Sequence, residues 1–323
     1  MKQRRLRVGI LTSGGDAPGM NAVIRAVVRS ALHFNMRVYG IRAGYQGLFR
    51  ADVNEMDTDD VSDIIHRGGT ILRTARCIEM ISDEGQRRAS EVIKAMQLDA
   101  IIVIGGDGSF KGALALSKLG IKVICIPATI DLDMDCTDYT IGFDTAVNTA
   151  AAAIICIRDT SSSHDRCSIV EVMGRNAGYL SLWCGMVGGA EEVIFLENRV
   201  DTKSVMEQIM KNRSKGKRHH LIVVAEGVGG GDELAKEIER VLDIETRATV
   251  LGHMQRGGTP SALDRMHGSV MGYMAVKAIK EDNVNKVVVY RDGKHDLLDL
   301  EEALTIRKKY NPEMYDITKI LAI

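Results

Sequence analysis

The sequence is short of aromatic residues, of prolines and of net charge. Five Phe and one Trp among 323 residues leave little material for base-stacking platforms. A formal net charge of −1, from 42 Lys+Arg against 43 Asp+Glu, gives no electrostatic support for general nucleic-acid binding or for attachment to a membrane surface. The six cysteines (Cys77, Cys125, Cys136, Cys156, Cys167 and Cys184) are scattered without CxxC spacing, which argues against a disulfide framework or a zinc site. Several sit in apolar runs, where a reduced Cys packs as a small hydrophobe. No apolar run approaches the length of a membrane span, and the basic start "MKQRRLRVGI" moves at once into a strand, not into a signal-peptide core. The expectation is a reduced, cytoplasmic protein with neither nucleic acid nor membrane as partner.

What is present is an alternation. Short β-branched runs ("RVGIL", "RVYGIR", "AIIVIGG", "KVICIP", "SIVEVM", "EVIFL", "HLIVVAE", "KVVVY") are spaced by segments of helical periodicity such as "GMNAVIRAVVRSALHF" and "GSFKGALALSKLG". Near-continuous apolar strands separated by helices predict parallel sheets covered on both faces. The fold class is therefore α/β, with two doubly wound, mostly parallel, Rossmann-like sheets, one before about residue 142 and one after. The helical segment "DTAVNTAAAAIICIRD" carries the chain from one half to the other.

Four strand ends carry chemistry. "GILTSGGDAPGMNAVIR" places Gly14-Gly15 at a strand end before a helix, where glycines admit a phosphate to free helical N–H groups; the same pair also closes any tight βα turn. "IIVIGGDGSFKGA" sets Asp107 among Gly105, Gly106 and Gly108, with Ser109 opening the next helix. Its spacing is one residue too long for a dinucleotide fingerprint, and GxxxxGK[ST] is absent. A glycine loop holding a carboxylate suits Mg²⁺ on a polyphosphate, although an Asp there also caps a helix. "PATIDLDMDCTDYTIGFD" crowds five aspartates after a strand. In extended backbone Asp131 and Asp133 would face one side, one to take a proton from an alcohol and the other to help hold a metal; Asp135 and Asp138 read as solvated or turn-forming. Last, Arg166, Arg175, Glu226, Arg247, His253 and Arg256 gather at expected loop positions of the second half, and arginine forks there imply an anionic substrate.

With these motifs side by side, the chain resembles the bacterial ATP-dependent 6-phosphofructokinases from about Val8 to His267. "LTSGGDAPGMN", "GGDGS", "TIDxD", "DYTIGFDTA", "RDTSSSH", "VEVMGR", "AEG" and "TRATVLGHMQRGG" occur in the family's order. The resemblance implies phosphorylation of the 1-hydroxyl of fructose 6-phosphate by MgATP. It assigns Gly15, Tyr45, Arg76, Cys77, Gly106, Asp107, Gly108 and Ser109 to ATP, and Asp107 and Asp133 to Mg²⁺. Asp131 is implied as the base, with Thr129, Arg76 and Arg175 at the transferring phosphoryl group. Sugar-phosphate contacts fall to Thr129, Asp131, Asp133, Arg166, Met173, Gly174, Arg175, Glu226, Arg247, His253 and Arg256. Arg166 and Arg247 are implied to serve a neighbouring subunit, hence a homotetramer. Arg25, Arg29, Arg158, Glu191, Lys215 and Lys217 match an effector site for ADP or phosphoenolpyruvate. The expected division is an ATP/Mg domain of residues 1–142 plus 255–305 and a fructose 6-phosphate domain of 143–254 plus 306–323.

Three positions depart from the family pattern. Thr58 stands where an effector-contacting arginine is usual. The common "PGTIDND" reads "PATIDLD" here, so Ala128 replaces a glycine and Leu132 an asparagine, with Leu132 expected to point away from the aspartates. A pyrophosphate-dependent phosphofructokinase would resemble "GGDDS" and "PKTID"; the small Gly108 and Ala128 are read as leaving room for a nucleotide instead. An NAD or lipid kinase sharing only GGDG would not explain "TIDLD", and a non-catalytic sugar-phosphate sensor would not need both Asp107 and Asp131.

Overall fold

"AIIVIG" and "KVICIP" contain no polar–apolar alternation, and from Ala100 to Gly105 and from Val123 to Pro127 every residue is buried. Strands of this kind need cover on both faces, and they lie at the centre of a seven-stranded sheet. The computed structural model describes residues 4–308 and 311–322. In chain order the elements are β1 (Arg7–Ser13), α1 (Met20–His33), β2 (Arg37–Ile41), α2 (Tyr45–Arg50), β3 (Val53–Met56), α3 (Asp83–Ala95), β4 (Ala100–Gly105), α4 (Asp107–Lys118) and β5 (Lys122–Pro127). Then follow α5 (Phe143–Ser163), β6 (Cys167–Val172), α6 (Tyr179–Gly188), β7 (Glu192–Ile194), α7 (Thr202–Ser214), β8 (His220–Ala225), α8 (Gly231–Leu242) and β9 (Thr246–Val250). The chain finishes with α9 (Ala262–Lys280), β10 (Lys286–Arg291), β11 (Lys294–Asp299), α10 (Leu300–Thr305) and α11 (Glu313–Leu321).

Two compact units result. The first takes in the chain up to Ile130, Met134–Thr145 and Arg256–Lys308; the second takes in Asp131–Asp133, Ala146–Gln255 and the C-terminal segment. Residues 1–3, 309, 310 and 323 of the division expected from sequence lie outside the described residues.

The first unit holds the sheet β11-β10-β5-β4-β1-β2-β3. Its inner strands are parallel, but β3 and β11 are antiparallel edge strands, β11 joined to β10 by a two-residue turn and β3 reached from β2 through α2. Helix α9 packs on α1 through glycine: a Cβ on Gly272 would stand 2.7 Å from the Ala26 Cβ and 2.9 Å from the Val23 carbonyl. Phe110, fully buried on α4, pins that helix to the core. Truncating such a phenylalanine to alanine costs about 3–5 kcal/mol, so the start of α4 is held firmly.

The second unit is a four-stranded parallel sheet, β7-β8-β6-β9. Three strands are absent from the reading of the sequence: "VNEM", "TRATV" and "KHDLLD" are polar edge strands with no apolar run. Arg247 therefore lies on β9, not in a loop, and reaches solvent from a sheet edge.

Candidate active site

β1 and β4 are parallel neighbours with Ser13 opposite Gly105, so the two glycine-rich turns open side by side at their carboxyl ends. Ser109 Oγ donates to the Ser13 carbonyl at 3.0 Å. A Cβ on Gly105 would lie 2.4 Å from that same oxygen, so only glycine admits the approach. Asp107 is the first residue of α4, and its half-exposed carboxylate pairs with Lys111, one turn on, at 2.6 Å. Beyond Gly108 a Cβ would meet nothing within 4 Å. Open space and the positive end of the helix dipole together make an anion-receiving turn.

The neighbouring segments are tied to this turn. Thr74 Oγ1 donates to the Gly14 carbonyl at 2.8 Å and Thr12 Oγ1 to the Arg73 carbonyl at 2.8 Å, so the loop bearing exposed Arg76 is fastened to the end of β1. Cys77 is half-buried, with its thiol 3.4 Å from the Glu79 carboxylate; burial, chiefly, pushes its pKa up. Arg256 ends a 3₁₀ turn (Gly252–Arg256) and donates to the Asp16 carbonyl at 3.1 Å. Its guanidinium lies where a side chain on Gly15 would go, 2.6 Å from the position of that Cβ. Between α3 and α4 runs a groove of 360 Å³ lined by Asp83, Gln86, Arg87, Lys111, Leu114 and Lys118. It begins one helical turn from Asp107.

Two expectations change here. Tyr45 does not line the open turn. It is 3% exposed, its hydroxyl donates to the Ser109 carbonyl at 2.7 Å, and its ring fills the space beside Gly112. It braces the first turn of α4. Ala128 is likewise buried and bridges to Ile141, so its small size serves packing and only Gly108 faces open space.

After β5 the aspartate loop is not extended. Leu132 has φ +53°, in the left-handed region, so the alternate-residue argument for Asp131 and Asp133 fails. Asp131 is 2% exposed and Asp133 half-buried. Asp138 pairs with Lys308 at 2.5 Å.

In the second unit the expected residues form three clusters. Glu226 accepts from the Gly174 and Arg175 amides at 3.2 and 2.8 Å, while the Met173 amide donates to Gln255 at 2.9 Å. Arg175 itself has φ +50° and an exposed side chain. Arg166 and Arg247 are brought together on one carboxylate, Glu245, at 2.6 and 2.9 Å. The Arg166 hydrogen bond, reinforced by Arg247, holds that carboxyl below its ordinary pKa against the cost of burial. His253 is exposed on the 3₁₀ turn.

The expected effector residues are partly spent on one another. Buried Glu191 pairs with Lys217, and Arg158 donates to the Gly188 carbonyl at 2.6 Å. Lys215 is an exposed residue ending α7. Arg25 and Arg29 sit half-buried and exposed on α1, and Thr58 is exposed in a turn.

The sequence profile of the Phosphofructokinase family matches residues 7–279, which take in every expected site residue from Gly15 to Arg256. The chain belongs to the phosphofructokinase family. It is 52% identical over 315 residues to an ATP-dependent 6-phosphofructokinase of Clostridium botulinum strain Hall, covering 98% of this chain and 99% of that one. With the ATP-dependent 6-phosphofructokinase of Clostridium acetobutylicum it shares 51% identity over the same coverage. Among solved structures it is similar to phosphofructokinase from Saccharomyces cerevisiae, with TM-score 0.87 and 32% identity over 99% of this chain. The chain spans about half of that longer yeast polypeptide, 48%.

Within this phosphofructokinase, the groove-lining Lys111 and the arginine-bridging Glu245 escaped the sequence reading. Each had a local signal: Lys111 lies four residues after Asp107 on one helix face, and Glu245 opens the quoted run "ETRATV".

Proposed function

We propose that the chain is an ATP-dependent 6-phosphofructokinase that moves the γ-phosphoryl group of MgATP to the 1-hydroxyl of fructose 6-phosphate. The full-length identity to enzymes of that name carries the reading, and the open turn at Asp107-Gly108-Ser109 supports it. The bond from the γ-phosphorus to its bridging oxygen breaks as the bond to the sugar O1 forms. The hydroxyl proton passes to Asp131, leaving ADP and fructose 1,6-bisphosphate. A general base of this kind contributes about 10²–10⁴-fold. The phosphates occupy the turns at Gly15 and Gly106–Ser109, and the nucleoside takes the groove between α3 and α4. Arg76, Arg175 and the Thr129 hydroxyl offset charge on the transferring group, since phosphoryl transfer is catalysed mostly by position and electrostatics.

Asp107 and Asp133 are assigned to Mg²⁺. Among the described residues no group of three or more His, Cys, Asp or Glu could hold a metal alone. Mg²⁺ suits such a donor set, because it takes one or two carboxylates and completes its shell with water and substrate phosphates. When bound it neutralises charge across the phosphates.

Met173, Glu226, His253 and Arg256 are assigned to the sugar phosphate, with Arg166 and Arg247 serving a neighbouring subunit of a homotetramer. Arg25, Arg29, Arg158, Glu191, Lys215 and Lys217 are assigned to an effector, ADP or phosphoenolpyruvate, and the enzyme to the cytoplasm. No described helix is long and apolar enough to cross a membrane.

A coupled assay with MgATP and fructose 6-phosphate tests the reading. Turnover of about 1–100 s⁻¹ is expected, with little when pyrophosphate replaces ATP. Asp131→Asn is expected to lower kcat by about 10²–10⁴-fold. Absence of turnover in the folded wild type would overturn the assignment.

A further inference from the structure

The segment that follows the aspartate loop is held from two sides. Towards the loop, Thr140 Oγ1 donates to the Thr129 carbonyl at 2.7 Å. The Ile141 amide donates to the Pro127 carbonyl at 3.0 Å, and Ile141 bridges Ala128. Away from the loop, everything converges on Asp264 in the first turn of α9, a carboxylate with no solvent exposure. Its oxygens accept from the Tyr139 hydroxyl at 2.6 Å, the Gly142 amide at 2.7 Å and the Thr145 amide at 3.0 Å, and from the Thr145 hydroxyl. The Thr145 hydroxyl in turn accepts from the Ser261 amide at 2.9 Å.

Four donors on one buried carboxyl are matched by an ionised acid, which only accepts, and not by an amide of the same shape, which turns an NH₂ on some of them. The Tyr139 ring is itself fixed, stacked on His267 with centroids 4.0 Å apart, and His267 is hydrogen-bonded to His295 at 2.9 Å. Between the Tyr139 hydroxyl and the Gly142 amide, both on Asp264, lie only Thr140 and Ile141, the two residues that grip Pro127–Thr129. Gly142 has φ +104°, and a Cβ there would stand 2.7 Å from Ala17 Cβ, so only glycine fits at this end of the span.

We propose that Asp264, acting through Tyr139 and Thr140, is a positioning residue for the loop carrying Thr129 and Asp131, and that it governs kcat rather than substrate affinity. The proposal rests on the kinase reading above. A base displaced by a fraction of an ångström from its proton loses rate, while the sugar-phosphate groups Met173, Glu226, His253 and Arg256, which lie on other elements, keep their places.

The experiment is a double-mutant cycle with Tyr139→Phe and Thr140→Val, both near-isosteric, and Thr140→Ser as the conservative control. Each of the first two is expected to lower kcat by about 10-fold with KM for MgATP and fructose 6-phosphate within about twofold, and the pair together by much less than the 100-fold product, because both interrupt one connection. Thr140→Ser keeps the hydroxyl and is expected to restore kcat. Amide hydrogen exchange across residues 129–133 gives a readout that needs no substrate, and faster exchange in both variants is expected. Native circular dichroism with unchanged kcat and unchanged exchange would overturn the proposal, as would fully multiplicative losses or a loss carried by KM. Should the wild type lack fructose 6-phosphate kinase activity, the functional reading fails while the exchange measurement still decides the positioning role. Asp264→Asn is the direct variant, expected to speed exchange most; if it does not fold, the two milder variants carry the test.

Discussion

Lys111 offers a test in which the sign of the effect identifies the role. Its ammonium holds the Asp107 carboxylate at 2.6 Å, with 66% of the lysine side chain and 46% of the aspartate side chain exposed. A metal taken up through Oδ2 of Asp107 competes with this pair. An exposed ion pair is worth about 0.2–1 kcal/mol, so removing it makes Mg-nucleotide binding tighter by about 1.4- to 5-fold. Lys111→Met is the suitable perturbation because it keeps a straight, helix-favouring side chain along the groove and deletes only the charge. Isothermal titration with MgADP reads the affinity directly, without the kinetic terms that enter KM. At about 1 M salt, where the Debye length falls to about 3 Å, the difference between wild type and variant is expected to shrink. If Lys111 instead contacted the nucleotide phosphates, its loss would remove a charge-assisted hydrogen bond of about 1.5–3 kcal/mol and weaken binding by about tenfold or more. Weaker binding in the variant would therefore refute the competition argument outright.

Other expectations follow from single positions. Gly108→Asp has room to fold, since its Cβ meets nothing within 4 Å, but it puts a carboxylate in the proposed phosphate path; ATP-dependent turnover should collapse with an unchanged melting profile, and retained turnover would move the phosphates elsewhere. At Leu132, with φ +53°, Leu132→Gly should be more stable than Leu132→Ala by about 1 kcal/mol, the left-handed cost of 1–2 kcal/mol less the entropy of glycine. Elsewhere the order is reversed, so a more stable alanine variant in denaturant titration would contradict the loop conformation. Buried His220 and His267 have pKa values lowered by burial to about 4. They stay neutral in the fold while the unfolded chain takes up protons below about 6.5, so their contribution is present above that pH and is lost as the pH falls towards 4. Each steepens the dependence by up to about 1.4 kcal/mol per pH unit; His220→Gln and His267→Gln should flatten melting temperature against pH, and an unchanged slope would show the rings are protonated in the fold.

The sequence was most legible where residues are buried on both sides. "AIIVIG" and "KVICIP" need no partner to be recognised as central strands, and the glycine turns at their ends follow from the same reading. β3, β9 and β11 were not legible, because a polar edge strand looks like a loop until its neighbour is known. The candidate site divides in the same way. Asp107 and Gly108 were readable from residue type, since a carboxylate among glycines at a helix start has few other uses. The conformation of Leu132 was not, because leucine carries no preference for positive φ; only the surrounding structure imposes it. Tyr45 was placed at the nucleotide by resemblance, yet residue type does not say whether a tyrosine faces a ligand or holds up the turn that does. Asp264 left no trace in any motif, because its four donors come from residues more than a hundred positions away.

The antiparallel strands at both margins of the seven-stranded sheet bear on how the protein behaves when crowded. A strand at the margin of any sheet presents a row of unpaired amides and carbonyls, and with apolar side chains above and below it is a template on which a second copy could add its own strand. Here both margins are polar, and β3 is short as well. β3 offers Asn54 and Glu55, the latter closed off by Arg37 at 2.6 Å. β11 carries Lys294 and Asp296 on its exposed positions, and its turn returns the chain directly into α10. Charged side chains at either margin oppose the flat, apolar approach that strand addition needs, so chains can be concentrated without the sheet propagating from one molecule into the next.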